Sequence, residues 1–397
     1  MPDRSASLTR RAQALVALAH AHARSRSRLE EAWWEGHLAD TLVKTLSARH
    51  NHHTEKALEY MMEQQAPGYE SLVDLAESCS ESLQFDAGGQ AWQGLLFSAP
   101  MLAWTRYQLP AGTFGKDIHQ ALSDLLAKTV FQDNARFCFF PRFLRFEHLP
   151  RTFHGTRNWA QSLARCALDT QRDWPALKLD QEVGELLADA FFLIGCVVVP
   201  EGEAIFRWQT EPLRAADLLE STRQQWATGC TQILEPVFTG CQVEYPAPDA
   251  YYSSTRQADQ NIRPITLKAA ATWLQTAANL PATALRAALV ACGDNSIEEY
   301  RIGFSMQDHD DVIYGCVWPT LSREEAHPDD APDAVDTSAA IMALLHECGI
   351  QTVRRVPGLE HCEVCEDCGT PFFPNMAGEM QHPELPESID PDPVQLH

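Results

Sequence analysis

Apolar residues in the first part of the chain recur at helical spacing. Between residues 8 and 83 they fall every three or four positions, as in the series Leu15, Leu18 and Ala19, and this is the period of an amphipathic helix. Polar and Pro-Gly segments interrupt the pattern three times. The spacing therefore predicts a helical region over residues 1–85 that contains three or four helices.

After Gly94 the period shortens toward two, which is typical of β-strands. We predict a first α/β unit over residues 86–180. Its second strand contains Pro141, which lacks a backbone N–H group and so predicts an edge strand or a broken one. The predicted elements of this unit are strands at 94–107 and 136–146 and helices at 117–131 and 159–168.

A second α/β unit is predicted over residues 186–322 and is completed by residues 338–358. Its first strand, Ala190–Val199, is almost entirely apolar, as expected of a strand that is covered on both faces. One helix is predicted to begin at Arg263, because Pro264 suits the first turn of a helix. The other predicted elements are strands at 204–209, 241–245, 284–290, 300–307, 312–318 and 350–356 and helices at 216–234 and 338–348.

These patterns predict an α+β fold: an N-terminal helical region, two α/β units with mixed sheets and a C-terminal zinc-knuckle appendage. The two units share an order of strand, helix, strand and helix, which is compatible with a duplication that their weak identity does not establish. Acidic, proline-containing segments at 323–337 and 387–397 are predicted to be an exposed linker and a tail.

The composition is that of an ordinary globular protein, with 397 residues of which 45% are hydrophobic and 21% are charged. The net charge of −23 argues against binding to nucleic acid or to an anionic lipid surface. No apolar run approaches the ~20 residues that a membrane-spanning helix needs. The sequence therefore predicts a protein that acts away from membranes and nucleic acids.

The cysteines indicate a reducing compartment. Nine of the twelve are scattered through apolar or amphipathic segments, without the short spacings of a disulfide framework. The N-terminal segment also lacks the hydrophobic core and cleavage site of a signal peptide. We therefore expect a cytoplasmic protein with free thiols.

The clearest chemical motif lies near the C-terminus, in residues 359–386. Cys365, Cys368 and Gly369 form a C-x-x-C-G turn that aims two thiolates at one point. His382 follows at a spacing compatible with a small ribbon. We predict a structural zinc knuckle with these two cysteines and His382 as ligands. Cys362 is the expected fourth ligand, and His361 is the next candidate.

Two other interpretations of this motif remain open. A C-x-x-C pair also occurs in dithiol redox proteins, but there it follows a strand and begins a helix, and this segment has no helix signal. Because a ribbon usually carries two knuckles and only one is present, unligated cysteines are the other alternative. A closed four-ligand zinc site would leave no position for water, so a structural role is expected.

A polar segment at residues 248–264 holds the second candidate site. In a helix Arg256, Asp259 and Arg263 would share one side, with Tyr252 one turn earlier. Two guanidinium groups beside a carboxylate are able to bind a carboxylate or phosphate ligand. A network of salt bridges within the protein is the simpler alternative.

Several distinctive segments resemble a family of uncharacterised proteins, found mainly in betaproteobacteria and described only as a domain of unknown function. These segments are VPEGEAIFRWQ at 199–209, PDAYYSSTRQADQNIRP at 248–264, EEYRIGF at 298–304, GCVWP at 315–319 and the closing CEDCGTPFFPNMAGEMQH. In the first half, APMLAWTRY and EHLPRTF are similar as well. The resemblance covers nearly the whole chain and implies a bacterial cytoplasmic protein without an assigned activity or site.

Two classes of function fit the sequence. The preferred hypothesis is a zinc-containing binding or regulatory protein without catalysis, whose partner is another protein. The alternative is a small-molecule enzyme acting on a carboxylated or phosphorylated substrate near Arg256, Asp259 and Arg263.

Overall fold

Helices form the N-terminal region, as the spacing predicts. The computed structural model describes residues 8–48, 52–105, 109, 114–168, 187–321, 323–326 and 336–386. Leu15, Leu38 and Leu72 are buried where the helices meet. A Cβ atom at Gly68 would lie 2.4 Å from the carbonyl oxygen of Ala19, so only glycine fits there. The helices are α1 (Arg10–Ala23), α2 (Arg28–Leu46), α3 (His53–Glu63) and α4 (Tyr69–Glu81).

The first sheet follows these helices and is built from antiparallel pairs. The strands are β1 (Ser82–Ala87), β2 (Gln90–Trp104), β3 (Arg136–Phe139), β4 (Ala188–Pro200), β5 (Gln242–Glu244) and β6 (Asp249–Ala250). The strand order is β1-β2-β4-β3, and the two short strands β5 and β6 also pair with β2. Helices α5 (Lys116–Thr129) and α7 (Ala215–Leu234) cover one face, and α6 (Phe153–Leu168) and α8 (Tyr251–Thr276) cover the other.

The predicted boundary between the two α/β units at residues 180–186 is wrong as a boundary between sheets. Strand β4 was assigned to the second unit, yet it pairs with β2 along thirteen residues, from Trp92↔Pro200 to Trp104↔Ala188. Both strands are apolar because each lies in the middle of the same sheet. Alternation within each segment could not show which strands are neighbours.

Two further differences concern short elements. Strand β1 was not predicted, and it joins β2 through a turn at Gly88 and Gly89, which both have positive φ. The predicted strand at 204–209 is a 3-10 turn at Arg207–Gln209, with one isolated bridge between Phe206 and Phe131. The end of the first predicted unit, at 169–180, lies outside the described residues.

The second sheet contains the strands β7 (Leu285–Cys292), β8 (Glu299–Met306), β9 (Val312–Pro319) and β10 (Thr352–Glu360). Their order in the sheet is β10-β7-β8-β9. Strand β10 runs parallel to β7, and the other neighbours are antiparallel. The second half of α8 and helix α10 (Thr337–Glu347) cover one face of this sheet. The α+β fold class predicted from the sequence is therefore confirmed.

Helix α8 links the two sheets, and its predicted start at Arg263 is wrong. The helix begins at Tyr251, and Pro264 lies inside it. A narrow buried stripe of Ala258, Ile262, Ile265 and Ala269 lies along this helix at helical spacing. Polar residues surround it in the sequence. Small side chains in this stripe gave too weak an apolar signal to outweigh the proline.

The predicted linker at 323–337 is partly structured where it is described. Residues Arg323–Ala326 form a single turn, α9, and residues 327–335 lie outside the described part of the chain. The Glu325 carboxylate accepts hydrogen bonds of 3.0 and 3.2 Å from Arg263. The start of the segment is therefore attached to α8 by a half-buried ion pair, which the exposed-linker prediction missed. None of the described helices combines the length and apolar content that a membrane-spanning segment requires.

The carboxyl group of Glu81 should make the free energy of unfolding fall as the pH rises. This residue accepts a 2.8 Å hydrogen bond from the backbone N–H of Tyr252 at the start of α8. Burial raises its pKa from 4.5 to about 7. The folded state favours the protonated carboxyl group. The stabilisation that Glu81 contributes is therefore complete below about pH 4.5 and is lost as the pH rises through about 7.

The substitution Glu81→Gln should remove this dependence, since glutamine retains an acceptor without a charge. We expect it to raise the free energy of unfolding by about 1 to 3 kcal/mol at pH 8 and to change little at pH 4.5. Denaturant unfolding at the two pH values measures the difference. A Glu81→Gln protein with the stability of wild type at pH 8 would contradict the raised pKa of Glu81.

Candidate metal centre

The predicted knuckle turn is present, and its geometry follows from the backbone. The N–H of Cys365 donates to the carbonyl oxygen of Thr370, and the N–H of Gly369 donates to that of Cys365, both at 2.8 Å. Gly369 has a φ of 74°, in the left-handed region that glycine adopts without strain. A bridge between Val364 and Pro371 closes the loop. The turn therefore brings the two cysteine side chains to the same side.

The knuckle segment, residues 359–386, packs on the face of the second sheet opposite α8 and α10. Alternate residues of β7 point to opposite faces. Leu285, Ala287 and Leu289 lie in the core beneath the helices, whereas Ala288, Val290 and Cys292 form a second apolar cluster with Val356. Cys362, Met376 and Met380 of the knuckle segment pack against that second cluster.

Arg301 of β8 joins the two arms of the metal-binding loop. Its guanidinium Nη1 donates to the carbonyl oxygens of Glu363 at 2.5 Å and Phe372 at 3.0 Å. Its Nε donates to the Glu299 carboxylate at 2.7 Å. The side chain is 2% exposed, so all three contacts are shielded from water. A buried charge therefore holds the residues on either side of the two cysteines.

Two glycines make room for the knuckle segment on the sheet. Gly303 and Gly315 are paired across β8 and β9. A Cβ atom at Gly303 would lie 2.2 Å from the carbonyl oxygen of Pro374, and one at Gly315 would lie 2.2 Å from the ring of Phe373. Phe373 is 4% exposed. The close approach buries this ring directly against the strands.

A short hairpin carries the third ligand back toward the turn. It consists of β11 (Phe373–Pro374) and β12 (Met380–Gln381). Asn375 caps the connection, because its Oδ1 accepts from the backbone N–H groups of residues 377, 378 and 379 at 2.8 to 2.9 Å. Beyond it, the N–H of Glu384 donates to the carbonyl oxygen of Val312 at 2.9 Å. His382 is thus placed between two anchored points.

The structure brings Cys365, Cys368 and His382 together. One ligand atom from each lies within 4.8 Å of the others, which is a spacing able to hold a metal ion. The sulfur of Cys368 is 3.2 Å from Nε2 of His382. The opposite nitrogen, Nδ1, lies 3.7 Å from the Glu384 carboxylate, which is beyond hydrogen-bond distance.

The Cys368 thiol is set up to ionise. Hydrogen bonds between the Cys368 sulfur and the hydroxyl and backbone N–H of Thr370, and a further one with His382, lower its pKa from 9.0 to about 6. A thiolate is the form that binds zinc. Sulfur and imidazole nitrogen are typical ligands of zinc, whereas calcium and magnesium bind oxygen ligands.

Cys362 lies outside this group, so the structure does not bring it together with the other three predicted ligands. Its side chain packs with the apolar cluster around Cys292 and Val356 on the sheet. His361, the reserve candidate, has its Nδ1 3.3 Å from Asp294. Within the described residues, the metal group therefore has three ligands. Spacing along the chain could not show that the strand β10 directs Cys362 toward the sheet.

The second predicted site does not converge on one pocket. The Tyr252 hydroxyl donates to Thr156 Oγ1 at 3.0 Å, and Arg256 pairs with Glu77 at 2.5 Å. Arg263 is bound to Glu325 and to the carbonyl oxygen of Pro319, and it lies over the ring of Trp318. Burial raises the pKa of Asp259, and Arg263 opposes that effect. These contacts join α8 to its neighbours, which is the salt-bridge alternative.

Sequence reasoning did not identify Arg301, Gly303, Gly315 or Thr370 as part of the site. One signal was available, because an arginine inside the otherwise apolar strand YRIGF needs a buried partner. The glycines in two neighbouring strands were a second signal, since glycine in a strand often marks a close backbone approach.

Comparison with known proteins identifies the family. The family model described as "Protein of unknown function (DUF2863)" matches residues 2–396, and the chain belongs to this family. No curated protein and no solved structure matches the chain.

Proposed function

We propose that this member of the DUF2863 family binds zinc through Cys365, Cys368 and His382 and acts as a zinc-containing binding or regulatory protein without catalysis. The observation that carries the proposal is the convergence of these three ligand atoms within 4.8 Å. The thiolate and imidazole chemistry favours zinc among the common divalent ions.

The metal's role in this proposal is to close the knuckle segment on the second sheet. The cysteines lie on the first arm of the segment, whereas His382 lies beyond the hairpin. A metal that binds both arms lowers the entropy of the unfolded segment in the same way as a covalent cross-link. The segment then covers the apolar cluster of Ala288, Val290 and Cys292.

The proposal includes a reducing, cytoplasmic location and a protein partner. None of the twelve cysteines, all within the described residues, is in a disulfide bond, and the site requires that Cys365 and Cys368 stay reduced. For the partner, the support is an apolar pair on α2. Leu29 is 87% exposed and Trp33, one helical turn later, is 62% exposed. A protein partner that packs on α2 would cover these two side chains.

Elemental analysis of the purified full-length protein tests the metal assignment. We expect about one equivalent of zinc after dialysis, because two thiolates and an imidazole bind zinc strongly enough to retain the metal. Cys368→Ser should lose the zinc, whereas the matched variant Cys362→Ser should keep it, since Cys362 packs away from the ligands. Zinc-free wild-type protein with a reactive Cys368 would refute the proposal.

A further inference from the structure

The metal group leaves one of the four positions of tetrahedral zinc to a donor from outside the group. Resting on the proposed function, we propose that a small molecule with a neutral heteroaromatic nitrogen and an apolar body occupies that position. Structural zinc sites use four protein ligands, whereas sites with three protein ligands bind a water molecule or an exogenous ligand. Within the described residues, three ligands make up the group.

Three neighbouring side chains that carry donor atoms have contacts away from the metal group. Cys362 packs against the sheet. His361 is beside Asp294 at 3.3 Å. Glu384 lies next to Nδ1 of His382, which is the nitrogen remote from Cys368. The side chain of Cys368 itself is exposed, so a ligand from solution is able to reach the metal.

An apolar groove begins directly beside the ligands. Its volume is about 460 Å³, within the usual range for small-molecule sites. The groove runs from Thr370 and Pro383, which neighbour Cys368 and His382, to Ile313, Val317 and Leu385. Apolar side chains are therefore available beside the metal group to contact the rest of a bound molecule.

The charges around the metal favour a neutral donor. Two thiolates already balance the charge of Zn²⁺, so an anionic fourth ligand would make the centre negative. Glu363, Glu366 and Asp367 are in the same loop, and Glu384 lies beside His382. The negative charges of these carboxylates would repel an anionic ligand at the metal, and this repulsion raises the free energy of the complex. An imidazole-type nitrogen is neutral and is a normal zinc ligand.

Cobalt-substituted full-length protein tests the inference, because the visible absorption of Co²⁺ reports its ligands. Titrations with imidazole, 4-phenylimidazole and azide measure three affinities. We expect both imidazoles to change the spectrum, 4-phenylimidazole to bind about tenfold more tightly through its buried ring, and azide to bind most weakly. In Leu385→Ser, which reduces the apolar lining of the groove, the two imidazoles should bind with similar affinity.

The outcomes separate this inference from the proposed function. Failure to bind cobalt would refute the metal site itself. A bound cobalt whose spectrum ignores all three compounds, or azide binding more tightly than imidazole, would refute only the inference. A weaker sulfur-to-metal absorption band in Cys362→Ser would show three thiolates and would also refute the inference. The inference would fail as well if the cobalt spectrum responded to the compounds only after the donor side chains of residues 387–397 were replaced by alanine.

Discussion

Replacing Arg301 by methionine is expected to destabilise the second sheet and to weaken zinc binding together. Methionine has a similar length but removes the donors to Glu363, Phe372 and Glu299. The carbonyl oxygens of Glu363 and Phe372 and the half-buried Glu299 carboxylate would then lack their shared partner. We expect the free energy of unfolding to fall by about 2 to 4 kcal/mol. Zinc affinity should fall by about ten- to a hundredfold, as for the loss of other groups that position metal ligands.

The matched control for this variant is Arg286→Met in the neighbouring strand β7. Arg286 also forms an ion pair, at 2.6 Å with Asp310, but that carboxylate is mostly exposed and the pair is at the opposite end of the strands. We expect a cost below about 1 kcal/mol and unchanged zinc affinity. Denaturant unfolding and competition with a chromophoric chelator measure the two effects. Equal losses in both variants would show that Arg301 has no particular role at the metal.

The substitution Gly303→Ala should displace the knuckle segment from the sheet. The new methyl group would lie 2.2 Å from a backbone oxygen of Pro374, and a backbone atom is unable to move aside without shifting β11. We expect a cost of about 1 to 3 kcal/mol from overpacking. Because β11 leads to the hairpin that carries His382, zinc affinity should fall as well.

The control for this steric effect is Gly36→Ala on helix α2. A Cβ atom at Gly36 would meet no heavy atom within 4 Å. Since alanine is the better helix former, this variant should be neutral or more stable by up to about 1 kcal/mol. Thermal unfolding and zinc content compare the two variants. A Gly303→Ala protein with the stability and zinc content of wild type would mean that the knuckle segment is held differently.

Local patterns predicted the elements well, because helical and strand periods are properties of neighbouring residues. The helices of the N-terminal region, the apolar strand β4 and the hairpin of β8 and β9 all follow from the spacing of their side chains. The pairing of strands did not follow. Strand β4 joins β2 across more than eighty residues of chain, and no periodicity records that partner.

The same distinction applies to the metal centre. The C-x-x-C-G turn is local, so its two ligands were recognised, and His382 was recognised from a compatible loop length. Cys362 was assigned by proximity in sequence, although the last residues of β10 fix its direction toward the sheet. Arg301 was missed because its partners, Glu363 and Phe372, are some sixty to seventy residues later in the chain.

X-ray absorption at the zinc edge of the purified protein examines the zinc site itself, because it counts the sulfur and nitrogen or oxygen neighbours of the metal. We expect two sulfurs at about 2.3 Å, from Cys365 and Cys368, and nitrogen or oxygen neighbours at about 2.0 to 2.1 Å that include His382. A third sulfur would make Cys362 a ligand after all, and a shell of oxygen atoms alone would contradict the zinc site.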